Sequence, residues 1–538
     1  MDHVRKLVWT PVVLVCTCMA ARPSAAQEPA IVVSARSVDG AMDDLKYILT
    51  AGDNAELGDL VDGMVDQFTQ GKGLAGLDRT RPLGAYISVS SGNPDMVLFV
   101  PVSDEKKFRD LLKTMLPRQK EQQGGVFSMQ VENQTWFGKF ARGHCFLTLL
   151  PAALNAPPDP AKFADSKYTA RLHADLSRLP AEVKDGLVEQ LEAAIEAAPV
   201  ERPQPQGEAE ARIRQRSHQV VSQLFRLLVR DSNRLSVGLL VDKKSKTLAV
   251  EVDVVPKPDS ELAAVVAGYG ETPSSFAALA GTDAALSLTV ASPVAPSVRD
   301  IFRDVVKTRM DEARANIQNS PKLKNAAQKQ AATDLIDRLG KLLEASAGAA
   351  KMDTAIVMNS GPGDKAQLVA AAAVREGDKF LKGLEEAAKQ AGADSRLTID
   401  VAKAGATRIH AVKTEADAEL TRRFGDAPAH LAIRDDTVFF AIGGDSLAAI
   451  KNAIDNAGKP ADGRPPVSLR VRPSKLVAMF PGDDSAHADL ARKAFAGAGD
   501  HLAMELVAVQ RGSRLRLEFG EGFLRLMSLS VADQLKDE

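Results

Sequence analysis

One pattern constrains this chain more than any other, and it occurs four times: two alternating apolar strands around a short turn, then a helix with a polar start. Gly84 to Leu112 (GAYISVSSGNPDMVLFVPVSDEKKFRDLL) is the first occurrence. Ala85, Ile87 and Val89 share one face of an extended chain, and Tyr86, Ser88 and Ser90 share the other, because successive strand side chains point to opposite sides. Leu235 to Val241, the turn DKKSK and Thr247 to Val255 repeat the outline ahead of SELAAVVAGYG. Thr354 to Asn359, SGPGD and Gln367 to Arg375 do so ahead of a helix entered at Asp378. Ala503 to Gln510 and Ser513 to Phe519 flank Arg511-Gly512, and Phe523 to Leu535 reads as a helix. Gly, Asn, Pro and Lys in the turns suit antiparallel hairpins. Ser103, Asp259 and Asp378 are the expected caps for the free N–H groups of the helices. Phe108, Leu111, Leu112 and Met115 give the first helix one apolar stripe to lay on its hairpin.

A lone hairpin with one helix leaves too much apolar surface in water, so further strands must join. Candidates are Gly125 to Val131, Trp136 to Leu149, Leu397 to Val401, Thr407 to Lys413, His430 to Ile433 and Val438 to Ile442. Ala161 to Ala198 reads as two helices broken near Pro180, Pro199 to Gly207 as a linker, and Glu208 to Val229 as an amphipathic helix. Val298 to Asn319 and Lys322 to Ser346, split by Ser320-Pro321, read as a helical hairpin. The expected fold class is α+β: repeated β-β-α units forming mostly antiparallel sheets covered by helices on one face, with long helical hairpin insertions. The expected divisions are a leader over 1–26, an N-terminal α+β domain over 27–206, a middle β-β-α unit with the helical hairpin over 207–350, and a C-terminal α+β domain over 351–538.

The leader is read from MDHVRKLVWTPVVLVCTCMAARPSAAQEPA. Arg5 and Lys6 precede an apolar run from Leu7 to Ala21, and Ser24-Ala25-Ala26 supplies small residues for cleavage after Ala26, the layout of a secretory signal. The run is shorter than the roughly 20 residues a spanning helix needs. Val13-Leu14-Val15 ahead of Cys16 lacks the context of a lipid-anchored cysteine. Export to the periplasm or the medium follows as the expectation. Loss of the leader removes Cys16 and Cys18 and leaves Cys145 as the one cysteine, so no internal disulfide can form and buried apolar surface must supply stability. The formal net charge of −2 argues against a nucleic-acid binder, which carries a basic surplus. Aromatic residues make up 5%, too few for sugar- or base-stacking platforms.

Chemistry-bearing motifs are sparse. His144 and Cys145 could be a base and a nucleophile, but adjacent residues of a strand face opposite ways, so Cys145 is expected to be a buried thiol. Asp483 to Asp489 (DDSAHAD) gathers three carboxylates and a histidine without calcium-loop spacing, and caps the following helix more economically. Asp435-Asp436 suits a turn. Arg212, Arg214, Arg216, His218, Arg226, Arg230 and Arg234 form one basic tract, expected to be a solvated helix face. Asn133-Gln134-Thr135 matches a glycosylation sequon in a hairpin turn. Gly71 to Gly76 fits G-x-G-x-x-G, but it follows a helix and opens none, against the dinucleotide-binding context. Ser360-Gly361-Pro362-Gly363 joins two strands and aims no helix terminus at a phosphate. G-x-S-x-G, phosphate-loop and H-E-x-x-H patterns do not occur.

The leader, the strand-turn-strand-P-K-P-D-S-helix segment at Ser236 to Ala267 and the alanine-rich helices together resemble large uncharacterised secreted bacterial proteins of the planctomycete type. The resemblance covers mainly 31–150 and 230–400, and it implies an exported bacterial protein without assigning an activity or a functional residue. No catalytic, cofactor-binding or metal-binding residue is therefore nominated, and no cofactor is expected. The expectation is a non-catalytic scaffold or binding module for an envelope or secreted partner, without nucleic acid or a transmembrane anchor. An exported hydrolase with a dispersed site, or an apolar-ligand carrier with a cavity lined by residues such as Phe99, Phe108 and Leu112, are the alternatives.

Overall fold

A computed structural model describes residues 28–90, 93–116, 119–131, 133–197, 222–269, 273–281, 283–320, 325–361, 365–391, 396–413, 418–459, 465–479, 486–497 and 499–537. The expected leader over 1–26 and the expected linker at 199–207 lie outside the described residues. The chain packs as two compact units. Unit 1 takes residues up to 185, 233–253 and 524–538, and unit 2 takes 186–232 and 254–523. The expected cuts near 206 and 350 do not coincide with these borders.

The first half runs β1 (Ile31–Ala35), α1 (Val38–Thr50), α2 (Glu56–Phe68), β2 (Leu83–Ser90), β3 (Asn93–Pro101), α3 (Glu105–Met115), β4 (Gln119–Glu121), β5 (Val126–Val131), β6 (Gln134–Ala141), β7 (His144–Thr148), β8 (Ala170–Asp175), α4 (Ala181–Ala197), β9 (Ser232–Asp242), β10 (Thr247–Pro256) and α5 (Glu261–Ala267). The second half runs β11 (Leu286–Pro293), α6 (Pro296–Asn319), α7 (Ala326–Ala347), β12 (Lys351–Ser360), β13 (Ala366–Ala373), α8 (Gly377–Ala391), β14 (Leu397–Ala404), β15 (Thr407–Val412), α9 (Ala418–Phe424), β16 (Ala429–Ile433), β17 (Thr437–Ile442), α10 (Ser446–Asn456), β18 (Val467–Val471), α11 (Pro473–Met479), α12 (Ala486–Ala494), β19 (Leu502–Val509), β20 (Gly512–Phe519) and α13 (Glu521–Asp537). The fold is α+β.

In unit 1 the strands lie in the order β10-β9-β8-β1-β2-β3-β7-β6-β5-β4. Pairing is antiparallel from β9 through to β4. In unit 2 the order is β20-β19-β18-β11-β12-β13-β17-β16-β15-β14, antiparallel throughout. Raising every strand number of the first order by ten reproduces the second.

Alternation along each strand supplies two buried faces. On one face of unit 1, Val102, Phe127, Met129 and Cys145 meet Phe108, Leu111 and Leu112 of α3. On the other, Val32, Tyr86, Val97, Phe99 and Phe146 pack with Leu154. Each buried large side chain contributes roughly 1.5–3 kcal/mol. In unit 2, Ile450, Ala453 and Ile454 of α10 close over Ala355, Ala371, Ile409, Ala432, Phe439 and Ala441. Leu381 and Leu384 of α8 pack with Ile433 elsewhere in the unit. Ile433 directly follows Ala432 on β16 and so points to the opposite face. The expectation of helices on one face only is corrected here, because α10 and α8 cover both.

Several local expectations are also corrected. Ala161 to Pro180 is not a helix: it holds β8 between two 3-10 turns. Trp136 to Leu149 is not one strand, since Arg142 (φ 53°) and Gly143 (φ 70°) turn the chain between β6 and β7. The α3 cap is Asp104, whose side chain accepts from Lys107 N–H, and the α5 cap is Ser260, accepting from Ala263 N–H. Ser103 and Asp259 do not fill those positions.

Candidate functional site

The residues singled out from sequence are mostly occupied by structure. His144 and Cys145 open β7 on opposite faces. The His144 ring nitrogens lie 3.1 Å from the Pro82 carbonyl and 3.2 Å from that of Arg142, while Cys145 is fully buried beneath α3. Burial pushes the Cys145 thiol far above its ordinary range, so it is not a ready nucleophile. Gly71 N–H donates to the Asp66 carbonyl at 2.7 Å, ending α2 as helix-closing glycines do. Gly361 N–H donates to Lys365 C=O in the β12–β13 turn. Asp436 accepts from the Thr437 hydroxyl at 2.9 Å in the β16–β17 turn. Thr135 donates to Gln130 across the β5–β6 hairpin. Of the basic tract, Arg212, Arg214, Arg216 and His218 lie outside the described residues, Arg226 pairs with Glu192 at 3.4 Å, and Arg234 faces solvent on β9. Asp483-Asp484-Ser485 also lies outside them, and Asp489 pairs with Arg492 at 3.5 Å.

Four polar sets were not foreseen, because no motif spacing in the sequence joins their members. In unit 1, buried Asp44 on α1 accepts from Arg36 at 2.7 Å and Thr169 at 2.6 Å, with Lys243 at 3.2 Å. Buried Glu251 on β10 is held by Lys167 and, at 2.8 Å, by the Tyr168 hydroxyl. In unit 2, Asp400 sits at φ 56° where the β14–β15 register shifts between Thr398 and Ala402. Its N–H donates to Nδ1 of buried His410 at 3.2 Å, which fixes the remaining ring proton on Nε2. Arg408 spans Asp400 and Glu385 beside it. Burial lowers the His410 pKa, with Asp400 opposing.

The fourth set comes nearest to a reaction centre. β17 ends in Gly443 (φ 83°) and Gly444 (φ 51°), and Asp445 caps α10 by accepting from Ala448 N–H at 3.0 Å. Gly443 is required there: a side chain would be strained at that φ and would strike the Ala366 carbonyl. Ser446, first residue of α10, lies 2.8 Å from His430 Nδ1. A nucleophilic serine gives its proton to the imidazole. Here the Ser446 hydroxyl donates to the Pro428 carbonyl at 2.7 Å, which leaves it to accept from His430. Both side chains are buried, and burial lowers the His430 pKa. The geometry ties β16 to α10.

Phe99 lies on the face of β3 opposite the one covered by α3, so Phe99, Phe108 and Leu112 line no common space. A cavity of about 430 Å³ is bordered by Glu28, Ala30, Val89 and Arg178, with Glu28 and Arg178 ion-paired, a polar rim unlike an apolar carrier's lining. Among the described residues no group of His, Cys, Asp and Glu could hold a metal ion, and no helix is long and apolar enough to cross a membrane.

No family model and no curated protein matches the chain. A solved structure described as crystal form III of TP0453 is similar over 45% of this chain and 82% of its own, at 9% identity and a TM-score of 0.23. A likeness of that size carries no argument about fold or role.

Proposed function

We propose that the chain is an exported, non-catalytic binding scaffold that offers helical hairpins to an envelope or secreted protein. The observation that carries this reading is a shared insertion point. A helical hairpin fills the same connection in both units: α1–α2 between β1 and β2, α6–α7 between β11 and β12. Hairpins of unequal length on matching frames are what a display scaffold needs, since loops on rigid elements carry recognition. α6 has 24 residues, about 36 Å of helix, and buries only Met310 among them. Apolar side chains remain exposed on these hairpins, with Leu45 46%, Leu60 40% and Phe302 39% accessible.

The test shortens the arm. Replacing 313–333 with a four-residue Gly/Ser linker spares Met310, which packs on Gly340, and Leu335, which packs toward α8. The expected result is a melting temperature within a few degrees of the parent and loss of a partner that the intact protein retains from envelope extract. Equal retention by both proteins removes the arm from the reading. The hydrolase alternative rests on Ser446 and His430. Turnover on an ester and peptide panel that vanishes in folded Ser446→Ala replaces the scaffold reading. Export is checked by N-terminal sequencing of the secreted chain, expected to begin at Gln27.

A further inference from the structure

We infer that the chain is a tandem duplication of one ten-stranded unit whose two copies exchange their closing helices, so that unit 1 carries a helix-receiving surface fitted to α13. The strand orders are identical once ten is subtracted, and three helix placements are shared: a helical hairpin after the first strand, α3 or α8 after the third, α5 or α13 after the tenth. Among the described residues, α9 after β15 and α10 after β17 are additions of the second half. Ten strands can be ordered in so many ways that two independent folds would not coincide at every position. Copy 1 then runs from β1 to α5 and copy 2 from β11 to α13.

The closing helices do not stay with their own copies. α5 follows β10, yet it belongs to unit 2 and lies against β20. α13 follows β20, yet its residues 524–538 belong to unit 1. There Ser528 is fully buried, donates to the Leu49 carbonyl at the end of α1 and accepts from Asn54 Nδ2 at 3.3 Å. Leu524, one turn earlier on the same face, is also fully buried. Gly52 leaves the room that the Ser528 side chain uses. On α5, Leu262 and Val266, likewise four apart, are the buried pair. Each helix thus buries one i, i+4 stripe away from most of the strands of its own copy: α5 lies in unit 2, and α13 from Leu524 onward lies in unit 1. The inference stands on strand order and packing and is independent of the binding role.

The test reads amide hydrogen exchange strand by strand in the full chain. Leu524→Asp is expected to cut protection at least tenfold in α1 and β1–β3 and to leave β11–β13 unchanged. Leu262→Asp with Val266→Asp is expected to do the reverse, losing protection in β18–β20 and sparing β1–β3. Leu524→Ala and Val266→Ala are the milder pair should the aspartates prevent folding. The crossed pattern supports the exchange. Loss confined to the copy that contains the mutated helix, or equal loss everywhere, overturns it. Asn54→Cys with Ser528→Cys adds a second readout: an intrachain disulfide in monomer is expected, whereas disulfide-linked dimers would assign the surface to a second chain and end the intramolecular account.

Discussion

Cys145 illustrates how much one strand position decides. Its neighbour His144 faces the aromatic side of β7, packed against Phe99 and Phe146, while the thiol points beneath α3. The native protein is therefore expected to resist thiol reagents at pH 8 and to react fully once unfolded, as a colorimetric thiol assay would show. Asp44 is the most committed carboxylate: 1% exposed, with three cationic or hydroxyl partners. Asp44→Ala strands Arg36 and Thr169, and a loss of about 2–3 kcal/mol is expected by denaturant titration. His173, His410 and His430 all have pKa values lowered, chiefly by burial. Near the unfolded value of about 6.5, the unfolded chain binds protons that the folded one refuses. Stability from this source is whole above about pH 6.5 and falls as the pH drops through the folded values. The melting temperature is expected to fall between pH 6.5 and 5.5, and to fall less in His410→Gln/His430→Gln.

At the scale of elements, the hairpins and the α6–α7 pair were legible because their signals are local. Turn residues, alternation and helical spacing need no distant partner. Caps were legible only to within a residue. Ser103-Asp104 and Asp259-Ser260 each offer two side chains able to accept from a helix N–H. The choice fell to backbone geometry: Asp259 takes φ 60°, leaving the extended cap position to Ser260. The three-residue β4 was missed, as were β1, β8, β11 and β18, and these last four share one property. They join the hairpin blocks, β8 and β1 in unit 1, β18 and β11 in unit 2. Three have five or six residues, and their pairing is justified only by strands far along the chain. The outer strands are blunted in two ways. β4 has three residues, two of them charged, and β14 carries the Asp400 bulge, both familiar defences of sheet edges. Deleting Asp400 straightens β14. Concentration-dependent self-association is expected by sedimentation velocity, and an unchanged monomer would count against an edge-protecting role.

At the scale of the whole molecule, Trp136 gives a private view of unit 1, since the other tryptophan, Trp9, falls in the expected leader, outside the described residues. Leu524→Ala should move the Trp136 fluorescence transition to lower denaturant while much of the far-UV circular dichroism persists. Coincident transitions would mean that the units melt as one. None of the four buried polar sets was read beforehand: Asp44 and Lys243 are brought together only by the fold, and His430 and Ser446, though 16 residues apart, match no motif spacing. The amino-acid order alone determined the hairpins, the long helical pair, the buried thiol and the α+β class, since each follows from periodicity and turn chemistry within a few residues. Only the tertiary structure decided how the hairpins are stitched into ten-stranded sheets, which carboxylates are enclosed, and which unit α5 and α13 complete. Those outcomes depend on contacts between segments tens to hundreds of residues apart, whose free energy no local stretch of sequence carries.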